Sequence, residues 1–227
     1  MYILIVNEDP LGRRLAEILV KNGHEVAYLD SDVEYCNQIA AKLGCLVIHG
    51  ETTNINVLQE AGIERADVVI ALHQKDIKNI MVGIFARQFG VPQIMARLRQ
   101  EHYASAYELA GIAEVFSAFD FLLNKILIAV ENPHIKQVMR LGNGQTEIAS
   151  LDLAQDSPLL GQPLSAVWEH RDYPHKALVL GLIKEQDQVV HLPREQPTVE
   201  RGDFLIVVGT PEDVHRISAY INNQRRW

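Results

Sequence analysis

The chain has 227 residues, 48% of them hydrophobic, with 21 Lys and Arg against 29 Asp and Glu, a formal net charge of −8 and a pI near 5.6. That is enough apolar material for one large or two small globular cores, while the acidic balance, with no basic run longer than the pairs Arg13-Arg14 and Arg225-Arg226, argues against a nucleic-acid surface. Cys36 and Cys45 match no close-spaced ligand motif and read as core thiols of a reduced cytosolic chain, and neither a basic leader nor an apolar run of the roughly 18 residues that a membrane span requires is present.

The apolar run Tyr2-Ile3-Leu4-Ile5-Val6 predicts a buried strand, and residues 13–20 a helix, which places Asn7 to Gly12 in the turn between them. In a dinucleotide-binding loop this turn reads G-x-G-x-x-G: the first glycine permits the tight turn, the second lets backbone N–H groups approach the pyrophosphate, and the third lets helix and strand pack closely. Only the third, Gly12, is present; Asn7 and Asp9 replace the other two, and Pro10 removes an N–H. A carboxylate at position 9 opposes the attraction of a helix N-terminus for anions. Residues 24–30 predict a second strand ending on Asp30, about 20 residues past the loop, as the dinucleotide pattern expects. Helix 32–43, strand 46–49, helix 55–61, strand 68–72, helix 76–89, strand 93–97, helix 101–110 and strand 114–116 continue the alternation. The expected fold is α/β: a Rossmann-like, doubly wound parallel sheet of six strands over residues 1–118.

Residues 119–130 predict a helix that is apolar on nearly every side, too short to span a bilayer and too apolar for one buried face. Two readings arise: a symmetric copy of the chain covers it, or it lies between the chain's own two domains, the first being favoured. Residues 119–144 are therefore taken as a crossover and dimerisation segment, ending in the turn-forming stretch 141–145. Residues 145–227 change to short strands and turns, at 147–153, 177–183, 188–192 and 204–208, followed by the helix start Thr210-Pro211-Glu212-Asp213. This is a small C-terminal α+β domain.

Further matches run in order along the chain: Asp30, then Gly50-Glu51-Thr52-Thr53, Glu60-Ala61-Gly62-Ile63, Ala66-Asp67-Val68-Val69 and Asn79 in the first domain. In the second come 157–164, His191-Leu192-Pro193 and 202–213. On these residues the whole chain resembles the RCK proteins, regulators of potassium conductance, in the two-domain form of the Trk and Ktr peripheral subunits. The resemblance implies a non-catalytic cytosolic subunit on the inner face of the cell membrane. It also implies a homodimer built into a ring, typically octameric, beneath a potassium channel or transporter, with ligand-dependent ring conformation gating ion flux.

The candidate cofactor-binding residues are Asn7, Gly12, Asp30, Ser31, Glu51, Thr52, His73, Asn79 and Arg97, and no catalytic or metal residue is assigned. Asp30 could accept the ribose hydroxyls or serve in an Asx turn with Ser31 and Asp32. By family analogy Glu51 and Thr52 face the adenine, unless their loop merely caps the next helix. His73 and Asn79 stand near the sheet crevice or are solvated or capping. Arg97 reaches phosphates in relatives, or else pairs with a neighbour such as Glu101. The resemblance implies an adenine nucleotide (AMP, ATP, ADP or NAD), while the altered loop implies weakened polyphosphate binding. Nine scattered histidines form no zinc motif, and His170 and His175 read as surface loop residues. The rival functions are a ligand-insensitive scaffold of the same family and an NAD-dependent oxidoreductase.

Overall fold

A computed structural model describes residues 1–141, 145–169, 173–174, 176–186 and 188–222. The turn centred on 142–144, the loop histidines 170 and 175, Asp187 and the tail 225–227 lie outside the described residues. The chain divides into two compact units, Met1–Phe121 and Leu122–Trp227.

The first unit alternates strands and helices: β1 (Tyr2–Asn7), α1 (Pro10–Lys21), β2 (Glu25–Asp30), α2 (Val33–Ala40), β3 (Leu46–His49), α3 (Ile55–Glu60), β4 (Val68–Leu72), α4 (Asp76–Gln88), β5 (Gln93–Leu98), α5 (Ala104–Leu109) and β6 (Glu114–Ser117). All pairings are parallel, in the order β3-β2-β1-β4-β5-β6. This is the expected six-stranded Rossmann-like sheet. Its strands read as unbroken apolar runs because both faces are covered. Leu4, Val6, Leu29, Val69 and Ala71 pack with Leu58, Val82 and Tyr107 on one face. Ile3, Ile5, Val26, Tyr28 and Ile70 pack with Ala16 and Ile39 on the other. The strand order reverses direction between β1 and β4, and in open α/β sheets ligands bind outside the strand C-termini at that switch point.

Two local differences from the expected elements matter. First, α1 begins at Pro10, with Asp9 as its N-cap, so the β1–α1 turn is only Glu8-Asp9 and Gly12 is already helical. Proline suits the first helical position because its missing N–H has no partner there anyway, and aspartate is a preferred cap. Second, the expected helix 119–130 is present as α6 (Ala118–Glu131), but within the 119–144 crossover segment residues 135–141 form a strand, β7 (Ile135–Leu141).

In the second unit β7 joins β8 (Thr146–Asp152), β9 (Leu178–Ile183), β10 (Val190–His191) and β11 (Phe204–Gly209) in an antiparallel sheet ordered β10-β9-β11-β8-β7. The last helix, α7 (Pro211–Ile221), lies on β8 and β11. Burial alternates along β8 and β11, so one face carries the core: Leu151, Leu205 and Val207 with Leu164, Val214 and Ile217. Thr210 caps α7 reciprocally, its Oγ1 accepting from Asp213 N at 3.2 Å and donating to Asp213 Oδ2 at 2.7 Å.

Candidate functional site

The C-terminal ends of β1, β2, β4 and β5, with the loop after β3, converge on one polar crevice. At its centre, Asn7 is buried at the end of β1. Its Nδ2 donates to Asp9 O and Tyr28 Oη, both at 2.6 Å, and lies 3.2 Å from Asp30 Oδ2. Asn7 explains Gly12, because a Cβ at position 12 would collide with the Asn7 amide oxygen. The third glycine of the loop therefore keeps its packing role although the first two are gone.

Asp30 is also buried, 1% exposed. Its Oδ1 accepts from Asp32 N at 3.0 Å and its Oδ2 from the Tyr28 hydroxyl at 3.0 Å. The Asx turn is thus present, and Asp32, not Asp30, caps α2. Burial, reinforced by the Asp30 charge, pushes the Tyr28 hydroxyl far above its ordinary range.

The loop acids are tied to the opposite side of the crevice. Asp9 Oδ1 accepts from Leu11 N at 2.9 Å, while its Oδ2 meets both Arg97 Nη1 and Gln74 Nε2. Arg97 therefore pairs with Asp9 and not with Glu101. Glu8 Oε1 accepts from Lys78 Nζ at 2.7 Å and Ser31 Oγ at 3.2 Å, and its Oε2 lies 3.4 Å from His73 Nδ1. Lys78 also stands 3.5 Å from Glu51 Oε1. Burial alone would raise both loop carboxyls. Hydrogen bonding and charge reverse this: Lys78 and His73 hold Glu8 below its ordinary range, and the Leu11 amide with Arg97 does the same for Asp9.

His73 and Asn79, expected as solvated or capping unless at the crevice, are both fully buried. Asn79 joins two strand ends: its Oδ1 accepts from His73 N at 2.7 Å, and its Nδ2 donates to Arg97 O at 2.9 Å and His73 O at 3.2 Å. Desolvation lowers the His73 imidazole below its ordinary value. Glu51 is exposed, with Thr53 Oγ1 donating to it at 2.9 Å, and the loop that carries Glu51 and Thr52 does cap α3, through Asn54. Thr52 is buried. Of the nine site residues expected from the sequence, Asn7, Asp30, Ser31, Glu51, Thr52, His73 and Arg97 stand at these loops and strand ends, while Gly12 lies in the first turn of α1 and Asn79 in the first turn of α4. Gln74 and Lys78 belong with them and were missed; their only signal is position after β4, four residues apart.

Among the described residues, the buried side-chain N and O atoms without a hydrogen-bond partner are Asn7 Oδ1, Thr52 Oγ1, both ring nitrogens of His73 and Arg97 Nε. Every one belongs to this crevice. Orphaned buried polar atoms cost about 1–3 kcal/mol each, so their concentration at the switch point marks a site built to be completed. Among the described residues no group of three or more His, Cys, Asp or Glu side chains is placed to hold a metal ion, and no helix is long and apolar enough to cross a membrane.

Residues 3–118 match the profile of the TrkA-N domain family. The chain is 27% identical over 208 residues to a Trk system potassium uptake protein TrkA homolog of Methanothermobacter thermautotrophicus, covering 92% of this chain and 93% of the relative. It is 26% identical to TrkA homolog 2 of Methanosarcina mazei, covering 95% of this chain but 47% of that protein. Among solved structures, the GsuK channel bound to NAD superposes with a TM-score of 0.69 over 97% of this chain and 39% of that one, at 19% identity.

Proposed function

The chain belongs to the TrkA-N domain family, and from that premise we propose that it is a non-enzymatic regulatory subunit of a potassium channel or transporter, acting from the cytoplasmic face of the membrane. The observation that carries this reading is that the Methanothermobacter potassium uptake relative is matched along nearly its whole length. Both units take part in that match, not the nucleotide-type fold alone. Regulation then follows from linkage: a ligand in the crevice changes ion flux only by its difference in affinity between two arrangements of the assembled subunit.

The assembly proposed is a homodimer, extended to a ring, joined first through α6. No residue of α6 is buried; Phe119, Phe121, Leu122, Ile126 and Val130 are each at least half exposed. Beside its start the first unit carries an open apolar groove of about 860 Å³ lined by Leu11, Leu15, Leu19, Met95 and Phe116. A contiguous apolar patch of this kind marks an interface. Asp30, Ser31, Glu51 and Thr52 are proposed to face the nucleoside part of a ligand, and Asn7, Gly12, His73, Asn79 and Arg97 to shape the phosphate end.

The test is potassium uptake in cells that lack the gene for this chain. Uptake should fall and return when the chain is restored; unchanged uptake on deletion would overturn the reading. The dimer is checked by light scattering, where Phe119→Asp with Phe121→Asp should yield monomer.

A second reading is favoured by the crevice itself. Because its cations are occupied by Glu8 and Asp9, the subunit could serve as a ligand-insensitive scaffold in the same assembly, in which case nucleotide addition leaves uptake unchanged.

A further inference from the structure

A phosphate group at a helix N-terminus needs free N–H groups, nearby cations and an uncancelled positive potential. None of the three is free here. Pro10 has no N–H, the Leu11 N–H donates to Asp9 Oδ1 and the Gly12 N–H to Asp9 O at 3.1 Å. The Arg97 guanidinium, at the end of β5, is held by Asp9, and Lys78, on α4, is held by Glu8. Three carboxylates, Glu8, Asp9 and Glu51, surround the two cations Lys78 and Arg97, and a fourth, Asp30, lies buried within hydrogen-bond reach of Asn7. A second anion placed among them would meet net negative charge.

Independently of any membrane partner, we propose that Glu8 and Asp9 are a tethered counter-anion in the pyrophosphate position: they complete the anion-binding constellation from within the chain and exclude polyphosphate nucleotides from the crevice. They are specificity-determining residues whose effect is repulsive as well as occupying, since rejection of a ligand often depends on such an element. The positive machinery is retained beneath them. Arg97 Nε remains unpartnered although the same guanidinium is paired through Nη1, and behind Glu8 the buried His73 has no partner at Nε2 and only the 3.4 Å contact with Glu8 Oε2 at Nδ1. The cradle for an anion is complete; its anion belongs to the chain.

The cradle should therefore accept an external anion once the internal one is removed. Asp9→Gly returns the Leu11 N–H and frees Arg97; Glu8→Gln with Asp9→Asn removes charge while keeping size and cap, and serves if the glycine variant folds poorly. Calorimetry with ADP and with inorganic pyrophosphate should show no binding to the wild-type chain at 100 μM ligand. Either variant should bind both at least tenfold more tightly than wild type. Adding Arg97→Ala to the variant should abolish that gain. Micromolar binding of ADP to the wild-type chain would overturn the proposal, as would variants that gain nothing or a gain that survives Arg97→Ala. These outcomes leave the potassium-uptake test untouched, so the two readings fail separately.

Discussion

The two sheets of this protein handle buried polarity in opposite ways. In the first unit β1 is buried along all six residues, and buried polar side chains gather at one edge, where several remain unpartnered. In the second, β8 and β11 bury alternate residues, and the buried Asp203 and Asn222 are tied to backbone groups. Asp203 accepts from Glu200 N at 2.8 Å and Glu185 N at 3.2 Å and pairs with Lys184 at 3.0 Å, while Asn222 accepts from Ala154 N at 2.5 Å and donates to Asp152 O at 3.1 Å. A parallel sheet covered on both faces leaves only its strand ends for polar chemistry, so that is where a ligand site can be built. The antiparallel unit uses the same residue types as staples for its own loops.

Core substitutions should treat the sheets alike. Leu4→Ala and Leu205→Ala each remove a fully buried side chain and should cost about 3 kcal/mol, read as lost hydrogen-exchange protection of the sheet concerned. Equal costs would show that the contrast is confined to polar groups. Asn79→Ala strands the buried His73 N–H and frees the ends of β4 and β5, which should cost about 2.5 kcal/mol and weaken protection at the crevice first. Gly12→Ala forces a methyl against the Asn7 amide and should cost about 2 kcal/mol by chemical denaturation, although alanine is the better helix former. In the second unit, Thr210→Ala removes one helix cap, worth about 1 kcal/mol, and should leave exchange at the crevice unchanged.

The gentlest probe is acid. His73 is depressed in the folded state, so unfolded chains take up a proton first and stability falls as pH drops through and below the ordinary histidine value of 6.5. Glu8 and Asp9, also depressed, add stability present above their ordinary values of 4.5 and 3.8 and lost as pH falls through their lowered ones. Both effects act in the same direction. His73→Gln should remove the loss near pH 6 and spare the one at lower pH, as followed by thermal melts across that range.

The alternation of apolar strands with amphipathic helices made the first fold legible, and the ending of strand 24–30 on an acid located Asp30. The start of α1 was also written in the sequence: an aspartate followed by proline is a cap and a first helical residue. By contrast β7 left almost no signal, because it is an edge strand with Ile135 as its one buried residue, so no apolar alternation develops. The burial of Asn79 and the pairing of Arg97 with Asp9 were not legible either. Both bring a helix residue or helix cap to the end of β5, 18 and 88 positions away, and nothing in their flanking residues encodes the meeting.

The strand orders also imply different histories on the ribosome. In the first sheet β1, the earliest strand made, lies between β2 and β4, so each later strand finds a growing template as it emerges. In the second sheet β11, the latest strand made, lies between β8 and β9, which therefore wait unpaired with each other until residues 204–209 arrive. Synthesis at about 5–20 residues per second stretches that wait to seconds. During it, the edges of β8 and β9 that will flank β11 are open to pairing with another chain.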